Sequence, residues 1–143
     1  MLTYEAAETM RATPDEVWAV LGDVAHYPDW DSGSERVEGD LGPGATLKVF
    51  SAADPGRAFP VKVAELEPGA GMTWRGGMPL GLFKGVRRYR LEAAGAVETR
   101  FEMREQFSGP LLPLIARAMP DLQPSFDQFA RGLKPRVEGG VGG

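Results

Sequence analysis

The stretch from Phe83 to Phe107 constrains the fold of this chain most, because apolar and polar residues alternate along much of it. Such a period of two is typical of β-strands that bury one face. The two alternating runs are joined by Ala93-Ala94-Gly95-Ala96. The segment is therefore predicted to form an antiparallel pair, Phe83–Glu92 and Val97–Phe107. On the second strand the residues predicted to face inward are Val97, Thr99, Phe101, Met103, Glu105 and Phe107.

The same pattern continues toward the N-terminus. From Ser34 to Phe107 the chain consists of short, partly alternating segments separated by Gly, Pro and Asp. This spacing predicts an antiparallel meander of about six strands rather than strands alternating with helices. Residues Leu2 to Ala12 also alternate loosely, so one further strand is expected at the start of the chain.

A helix is predicted directly after that first strand. Thr13 can cap it, Pro14 suits the first helical position, and Glu16 stands where a capping-box carboxylate reaches back to the cap. Apolar residues then recur at helical spacing until Tyr27-Pro28-Asp29-Trp30-Asp31 interrupts them.

The C-terminal part predicts a long amphipathic helix, because apolar residues recur every three or four positions from Leu111 to Leu133. Pro120 and Pro124 fall inside this stretch, and proline removes a helical hydrogen bond. A kink near Met119 to Gln123, or two abutting helices, is therefore expected. The Gly-rich residues 139–143 are predicted to be a disordered tail.

This order of elements resembles the START-like (SRPBCC) superfamily, which includes the pollen-allergen proteins and the bacterial polyketide cyclases. Four stretches carry the resemblance: Ala12–Trp18, Tyr27–Trp30, Tyr89–Glu92, and Glu105–Gly109 followed by Leu111-Leu112. The resemblance implies a single α+β domain over residues 1–138 with the helix-grip fold. In that fold a curved antiparallel sheet of about seven strands wraps around a long C-terminal helix, with one or two short helices after the first strand.

Composition excludes several kinds of chemistry. The chain has no cysteine and one histidine, His26, so disulfides, thiolate metal sites and two-histidine metal sites are not expected. No metal or cofactor is predicted. A net charge of -4 argues against nonspecific nucleic-acid binding. The sequence contains neither a membrane-spanning run nor a signal segment, so a cytoplasmic protein is expected. A monomer and a homodimer both remain open.

A curved sheet that grips one helix can leave a gap that side chains do not fill. Such a cavity is predicted here, and its aromatic and methionine lining suits a mostly apolar small molecule. Plain core packing explains each lining residue taken singly, so only the group points to a pocket. The predicted apolar lining residues are Trp74, Tyr89, Phe101, Met103, Met119, Phe126 and Phe129.

Two charged residues are predicted to face the same interior. Arg87 lies two residues from Tyr89 on its predicted strand, and Glu105 lies two residues from Met103 on the neighbouring strand, so each faces the same side as its apolar neighbour. The two are expected to form an inward pair that orients a polar end of the ligand. The alternative is an ion pair that only neutralises two charges near the end of the sheet.

Other polar residues are interpreted as structural. His26 is expected to be an exposed loop histidine without a fixed carboxylate partner, and Trp30 is expected to be a lid or loop anchor. Asp29 and Asp31 are expected to form turns. The glycine-rich segment 76–81 lacks a phosphate-binding motif and suits a flexible entrance loop.

Three functions remain open at this point. The favoured one is a noncatalytic binder or carrier of a lipid-like, aromatic or polyketide-like molecule. The second is a cyclase or dehydratase, in which Arg87 would polarise a carbonyl while Glu105 or Tyr89 moved a proton. The third is a protein-interaction or regulatory module of the cochaperone or ribosome-associated type.

Overall fold

Seven strands and three α-helices make up the computed structural model, which describes residues 1–52 and 56–141. In chain order, the elements are β1 Leu2–Met10, α1 Pro14–Leu21, a 3₁₀ helix Val24–Asp29, β2 Ser34–Glu38, β3 Thr46–Ser51, β4 Ala58–Glu67, β5 Gly71–Gly77, a short 3₁₀ turn Pro79–Gly81, β6 Lys84–Gly95, β7 Glu98–Ser108, α2 Leu112–Ala116 and α3 Gln123–Val141.

The strands form one antiparallel sheet in the order β1-β7-β6-β5-β4-β3-β2. Strands β2 to β7 are therefore a meander, and β1 adds to its β7 edge. The predicted sheet of about seven strands, the long C-terminal helix and the helix-grip fold are confirmed. Within the meander, each strand pairs with its sequence neighbour because short loops favour hairpins over crossovers.

The β6–β7 hairpin turns two residues later than the sequence pattern predicts. Gly95 pairs with Glu98, so Ala96 and Val97 form the turn, and a register shift lies between Ala93 and Gly95. Val97 is consequently exposed rather than inward-facing. At this register shift β6 has one extra residue. Because of it, the apolar residues of β6 and β7 beyond the shift lie on the same face of the sheet.

The predicted start of α1 is confirmed in detail. The hydroxyl of Thr13 accepts a hydrogen bond from the Glu16 amide at 3.3 Å, and the Thr13 amide donates to the Glu16 carboxylate at 3.0 Å. These two bonds satisfy backbone donors that a helix N-terminus otherwise leaves free. Val17 and Leu21 form the buried side of this helix.

The C-terminal segment contains two helices, as the prolines predict. Helix α2 ends at Ala116, and α3 begins at Gln123 with Pro124 in its first turn, where a missing amide costs no helical bond. Helix α3 runs to Val141, so residues 139–141 of the predicted tail are helical; residues 142–143 lie outside the described part. The helix persists there because Val137, one turn earlier, is anchored in the core.

The core lies between the inner face of the sheet and one face of α3. Phe126, Phe129, Leu133 and Val137 contribute the helix side, and their spacing of three or four residues follows the helical period. None of the helices in residues 1–52 and 56–141 has the length and apolarity needed to cross a membrane.

Candidate functional site

The inner face of the sheet carries an ion pair, Arg87 with Glu105. The two residues are directly opposite each other on β6 and β7. Nε and Nη2 of Arg87 lie 2.8 and 2.7 Å from the same oxygen, Oε1 of Glu105. The side chains are 27% and 14% exposed, so the pair lies at the margin of the core and reaches solvent.

Glycine at position 85 makes room for this carboxylate. A Cβ at Gly85 would lie 2.7 Å from Oε2 of Glu105 and 2.9 Å from the ring of Phe107. A larger residue at position 85 would therefore push the Glu105 carboxylate or the Phe107 ring out of its place. Gly85 was not among the predicted site residues, although its position two residues before Arg87 on the same strand indicates that both face the same side.

Tyr89 and Phe126 complete the surroundings of the guanidinium. Nη1 of Arg87 donates to the Tyr89 hydroxyl at 3.3 Å, and the guanidinium carbon lies 4.8 Å from the centre of the Phe126 ring. The hydroxyl accepts this bond, so its own proton remains for donation to another acceptor. Arg87 thus connects both strands of the hairpin to helix α3.

Burial and neighbouring charges determine the protonation states of Arg87 and Tyr89. Burial lowers the pKa of Arg87, but the charge of Glu105 and the contact with Tyr89 outweigh that effect and raise the pKa overall. Burial also raises the pKa of the Tyr89 phenol, and the positive charge of Arg87 opposes the rise only in part. At neutral pH the site therefore holds a guanidinium cation and a protonated phenol.

Most of the predicted apolar lining residues come together. Their rings contact one another: Trp74 lies 5.1 Å from Tyr89, and Phe129 lies 5.7 Å from Tyr89 and 6.1 Å from Phe101 between ring centres. These contacts fill the space between the sheet and α3. The buried members of the predicted lining are Trp74, Tyr89, Phe101, Met103, Phe126 and Phe129.

Two clefts on the described part of the chain lie elsewhere. One of about 210 Å³ is lined by Ala6, Ala7, Glu8, Asp127, Ala130 and Arg131. The other, of about 160 Å³, is lined by Ala19, Val20, Asp23, His26, Trp30 and Arg136. Neither includes a residue of the predicted ligand site, so an internal cavity stays a prediction.

Met119 is not brought together with the other lining residues. It lies in the bend between α2 and α3 and is only partly buried. The reason is the break ahead of Pro120, which ends α2 at Ala116 and takes Met119 out of the helical face predicted for it. Its part in ligand binding remains a prediction.

His26 differs from expectation in one respect. It is exposed, as predicted, but it lies in the 3₁₀ helix, and Nδ1 is 2.8 Å from the Asp23 carboxylate. The expectation of no fixed carboxylate partner was therefore wrong. The 3₁₀ geometry brings residues three apart onto one side, and this contact follows from it.

The segment around Trp30 extends the aromatic cluster, because Tyr27 and Trp30, which were not among the predicted lining residues, contact Phe129. The Trp30 ring lies 5.5 Å from Tyr27 and 5.0 Å from Phe129, so Trp30 is a loop anchor. The Tyr27 hydroxyl donates to the Leu21 carbonyl. The Asp31 carboxylate accepts a hydrogen bond from the side-chain amide of Gln128 at 2.7 Å, and this bond connects the segment to α3.

This arrangement can hold a molecule that is mainly apolar with one polar group. The guanidinium and the phenol are hydrogen-bond donors on an aromatic surface, and the carboxylate fixes the guanidinium. No cluster of three or more potential metal ligands occurs in residues 1–52 and 56–141.

The seven-stranded sheet, the C-terminal helix and the match to a family model define a START-like protein with the helix-grip fold. The family model described as polyketide cyclase / dehydrase and lipid transport matches residues 1–138, and the chain belongs to this family. The search of curated proteins gave no significant match.

Solved structures share the fold at low sequence identity. The Zhui aromatase/cyclase from a Streptomyces species has a TM-score of 0.75 at 20% identity, with 98% of this chain and 95% of that chain covered. A START superfamily protein from Mycobacterium smegmatis has a TM-score of 0.70 at 14% identity, with coverage of 96% and 97%. The di-domain ARO/CYC BexL has a TM-score of 0.71 at 18% identity; 96% of this chain aligns with only 47% of that one. These likenesses concern the fold.

Proposed function

We propose that this protein binds a mainly apolar small molecule between the sheet and α3, and that Arg87, Tyr89 and Glu105 hold a polar group of that molecule. Trp74, Phe101, Met103, Met119, Phe126 and Phe129 would contact its apolar part. The class of ligand is lipid-like, aromatic or polyketide-like.

The observation that carries the proposal is the position of the Arg87–Glu105 pair. The pair points to the helix side of the sheet and is only 27% and 14% exposed. Removing two charges from water costs free energy, and apolar residues of similar volume usually stabilise a core at least as well. A partly accessible pair beside a protonated phenol is better explained by recognition of a polar group than by stability.

A guest needs space that the aromatic rings occupy in this conformation. The N-terminal half of α3 is the element that can move to provide this space, because a non-helical segment separates it from α2. Phe126 and Phe129 in this half of α3 contact aromatic rings of the sheet. Burying about 200 Å² of apolar ligand surface contributes on the order of 5 kcal/mol. Binding requires that this gain exceed the loss of the ring contacts that the guest replaces and the cost of association.

The proposal is tested with 1-anilinonaphthalene-8-sulfonate, a probe with apolar rings and one anionic group. We expect saturable one-site binding to the wild type and at least about tenfold weaker binding to Arg87→Gln, since a charged hydrogen bond to the anionic group of the probe is lost. Arg100→Gln is the matched control, because Arg100 forms an equally short pair with Glu102 on the outer face. Its affinity should stay within about twofold of the wild type.

Two outcomes would reject the proposal. One is equal affinity of Arg87→Gln and the wild type in samples whose circular dichroism spectra agree. The other is the absence of saturable binding to the wild type. The double variant Arg87→Gln/Glu105→Gln removes both charges together and leaves neither partner as an unpaired charge, so it separates lost recognition from lost folding. Native mass spectrometry of protein purified from its own host would identify a bound small molecule.

An enzyme of the cyclase or dehydratase type is the second candidate, and the protonated Tyr89 beside Arg87 favours it. Arg87 would polarise a carbonyl, and Glu105 or Tyr89 would transfer a proton. Likeness in fold to an aromatase/cyclase is in keeping with this candidate. Turnover of an aromatic polyketide that persists unchanged in both Arg87→Ala and Glu105→Gln would exclude it.

A further inference from the structure

Four of the exposed large apolar side chains in the described part of the chain lie at one end of the sheet. Met78, Leu80 and Leu82 belong to the loop between β5 and β6, and Leu114 belongs to α2. The loop and the helix are adjacent, because the Leu111 amide donates to the Leu82 carbonyl at 2.9 Å. We call these four residues, Met78, Leu80, Leu82 and Leu114, the apolar tip.

Leu80 is the most unusual member of the apolar tip. Its φ angle is +61°, and its side chain is 96% exposed. It is the sole non-glycine residue with positive φ in residues 1–52 and 56–141. Leucine is disfavoured in this backbone region, where asparagine or glycine would cost less. Neither folding nor solubility explains a leucine here, so the strained position points to a contact outside the chain.

Basic residues flank the apolar tip along the chain, although the chain as a whole carries -4. The segments that supply the tip, 68–91 and 106–120, contain no Asp or Glu. Lys84 follows the loop directly, and Arg117 follows α2; both are exposed. Protruding aliphatic side chains bordered by cations complement a surface that is apolar inside and anionic at its boundary.

We propose that the apolar tip docks the protein on an anionic lipid bilayer, with Leu80 inserted at the interface and Lys84 and Arg117 on the lipid headgroups. A second copy of the chain fits less well. A symmetric dimer through the tip would bring Lys84 and Arg117 close to their own equivalents, and like charges repel. The docking goes beyond ligand binding and does not require it.

Flotation with vesicles tests the docking. We expect the wild type to bind phosphatidylcholine vesicles that contain phosphatidylglycerol at low salt, and to bind pure phosphatidylcholine far more weakly. Leu80→Asn should weaken binding about tenfold, because an inserted aliphatic side chain is lost. Asparagine tolerates positive φ, so the fold is preserved. Lys84→Gln should weaken binding about fivefold.

The matched controls lie away from the tip. Val97→Asn changes an apolar residue that is 64% exposed at the β6–β7 turn, and Lys48→Gln changes an exposed lysine of β3. Both should bind vesicles within about twofold of the wild type. Binding of 1-anilinonaphthalene-8-sulfonate should be unchanged in Leu80→Asn, so a failure of the docking is distinguishable from a failure of the ligand proposal.

Three results would overturn the docking. The wild type could fail to float with anionic vesicles. Leu80→Asn and Val97→Asn could weaken flotation equally. Analytical ultracentrifugation could show a dimer that Leu80→Asn dissociates, which would assign the apolar tip to self-association instead.

Discussion

Phe129 is the best single residue for testing whether the interior accepts a guest. It is 5% exposed, and its ring centre lies 5.4 Å from Tyr27, 5.0 Å from Trp30, 5.7 Å from Tyr89 and 6.1 Å from Phe101. Truncating a buried phenylalanine loses its transfer free energy and leaves a cavity, together about 3 to 5 kcal/mol. With four aromatic neighbours, Phe129→Ala should lower the free energy of unfolding by about 4 kcal/mol.

The measurement is thermal and urea unfolding followed by circular dichroism. For a chain of this length, a loss of about 4 kcal/mol should lower Tm by roughly 12 °C. Phe59→Ala is the control, since Phe59 is an exposed phenylalanine on β4, and it should change stability by about 0.5 kcal/mol or less.

A small aromatic guest should then recover part of the loss. Benzene at ten times its Kd should stabilise Phe129→Ala by about 1.4 kcal/mol and should leave the wild type nearly unchanged. A stability loss below about 1 kcal/mol would refute the packing argument. A variant that is destabilised as expected but gains nothing from benzene would refute the idea that the space between sheet and α3 can hold an apolar guest.

Two further predictions concern the first helix and the segment after it. The hydrogen bond that the His26 ring donates to the Asp23 carboxylate, and then the charge of that carboxylate, raise the pKa of His26. The NMR titration of this single histidine should therefore have its midpoint above 6.5 and should return toward 6.5 in Asp23→Asn; equal midpoints would contradict the pairing. Because the folded-state pKa is the higher one, the small stabilisation is complete below about pH 6.5 and is lost as pH rises through the raised pKa. Thr13→Ala should lower stability by about 1 kcal/mol through loss of the cap, measured by urea unfolding, and a loss no larger than that of Thr9→Ala would argue against the capping box.

The strand pattern was sufficient to predict the inward pair. Side chains alternate strictly along a strand, so the parity of Tyr89 and Met103 determined that Arg87 and Glu105 face the same side. A one-residue error would have sent both charges to solvent. The capping role of Thr13 and Glu16 was equally predictable from sequence, because the two residues are each other's hydrogen-bond partners and lie three positions apart.

Other features depend on distances that a pattern does not contain. The turn at Ala96 and Val97 follows from a register shift, and nothing in the alternation of the strands marks its position. The pairing of His26 with Asp23 requires a 3₁₀ turn that the apolar spacing does not predict. Whether a gap remains between the sheet and α3 depends on side-chain packing to within about an ångström. The hydrophobic periodicity of the sequence is the same for a filled interior and for one with a cavity.

A guest bound between the sheet and α3 would contact the same aromatic rings that stabilise the fold. The rings that would contact a guest, those of Tyr89, Phe126 and Phe129, are also the contacts that hold α3 against the sheet. A guest therefore binds only with the surplus of its own burial over the contacts that it displaces. It follows that a change which loosens α3 without unfolding the sheet should raise guest affinity, whereas a change at Arg87 should lower affinity without loosening α3 in proportion. This opposite behaviour distinguishes a ligand site from a core that merely contains an ion pair.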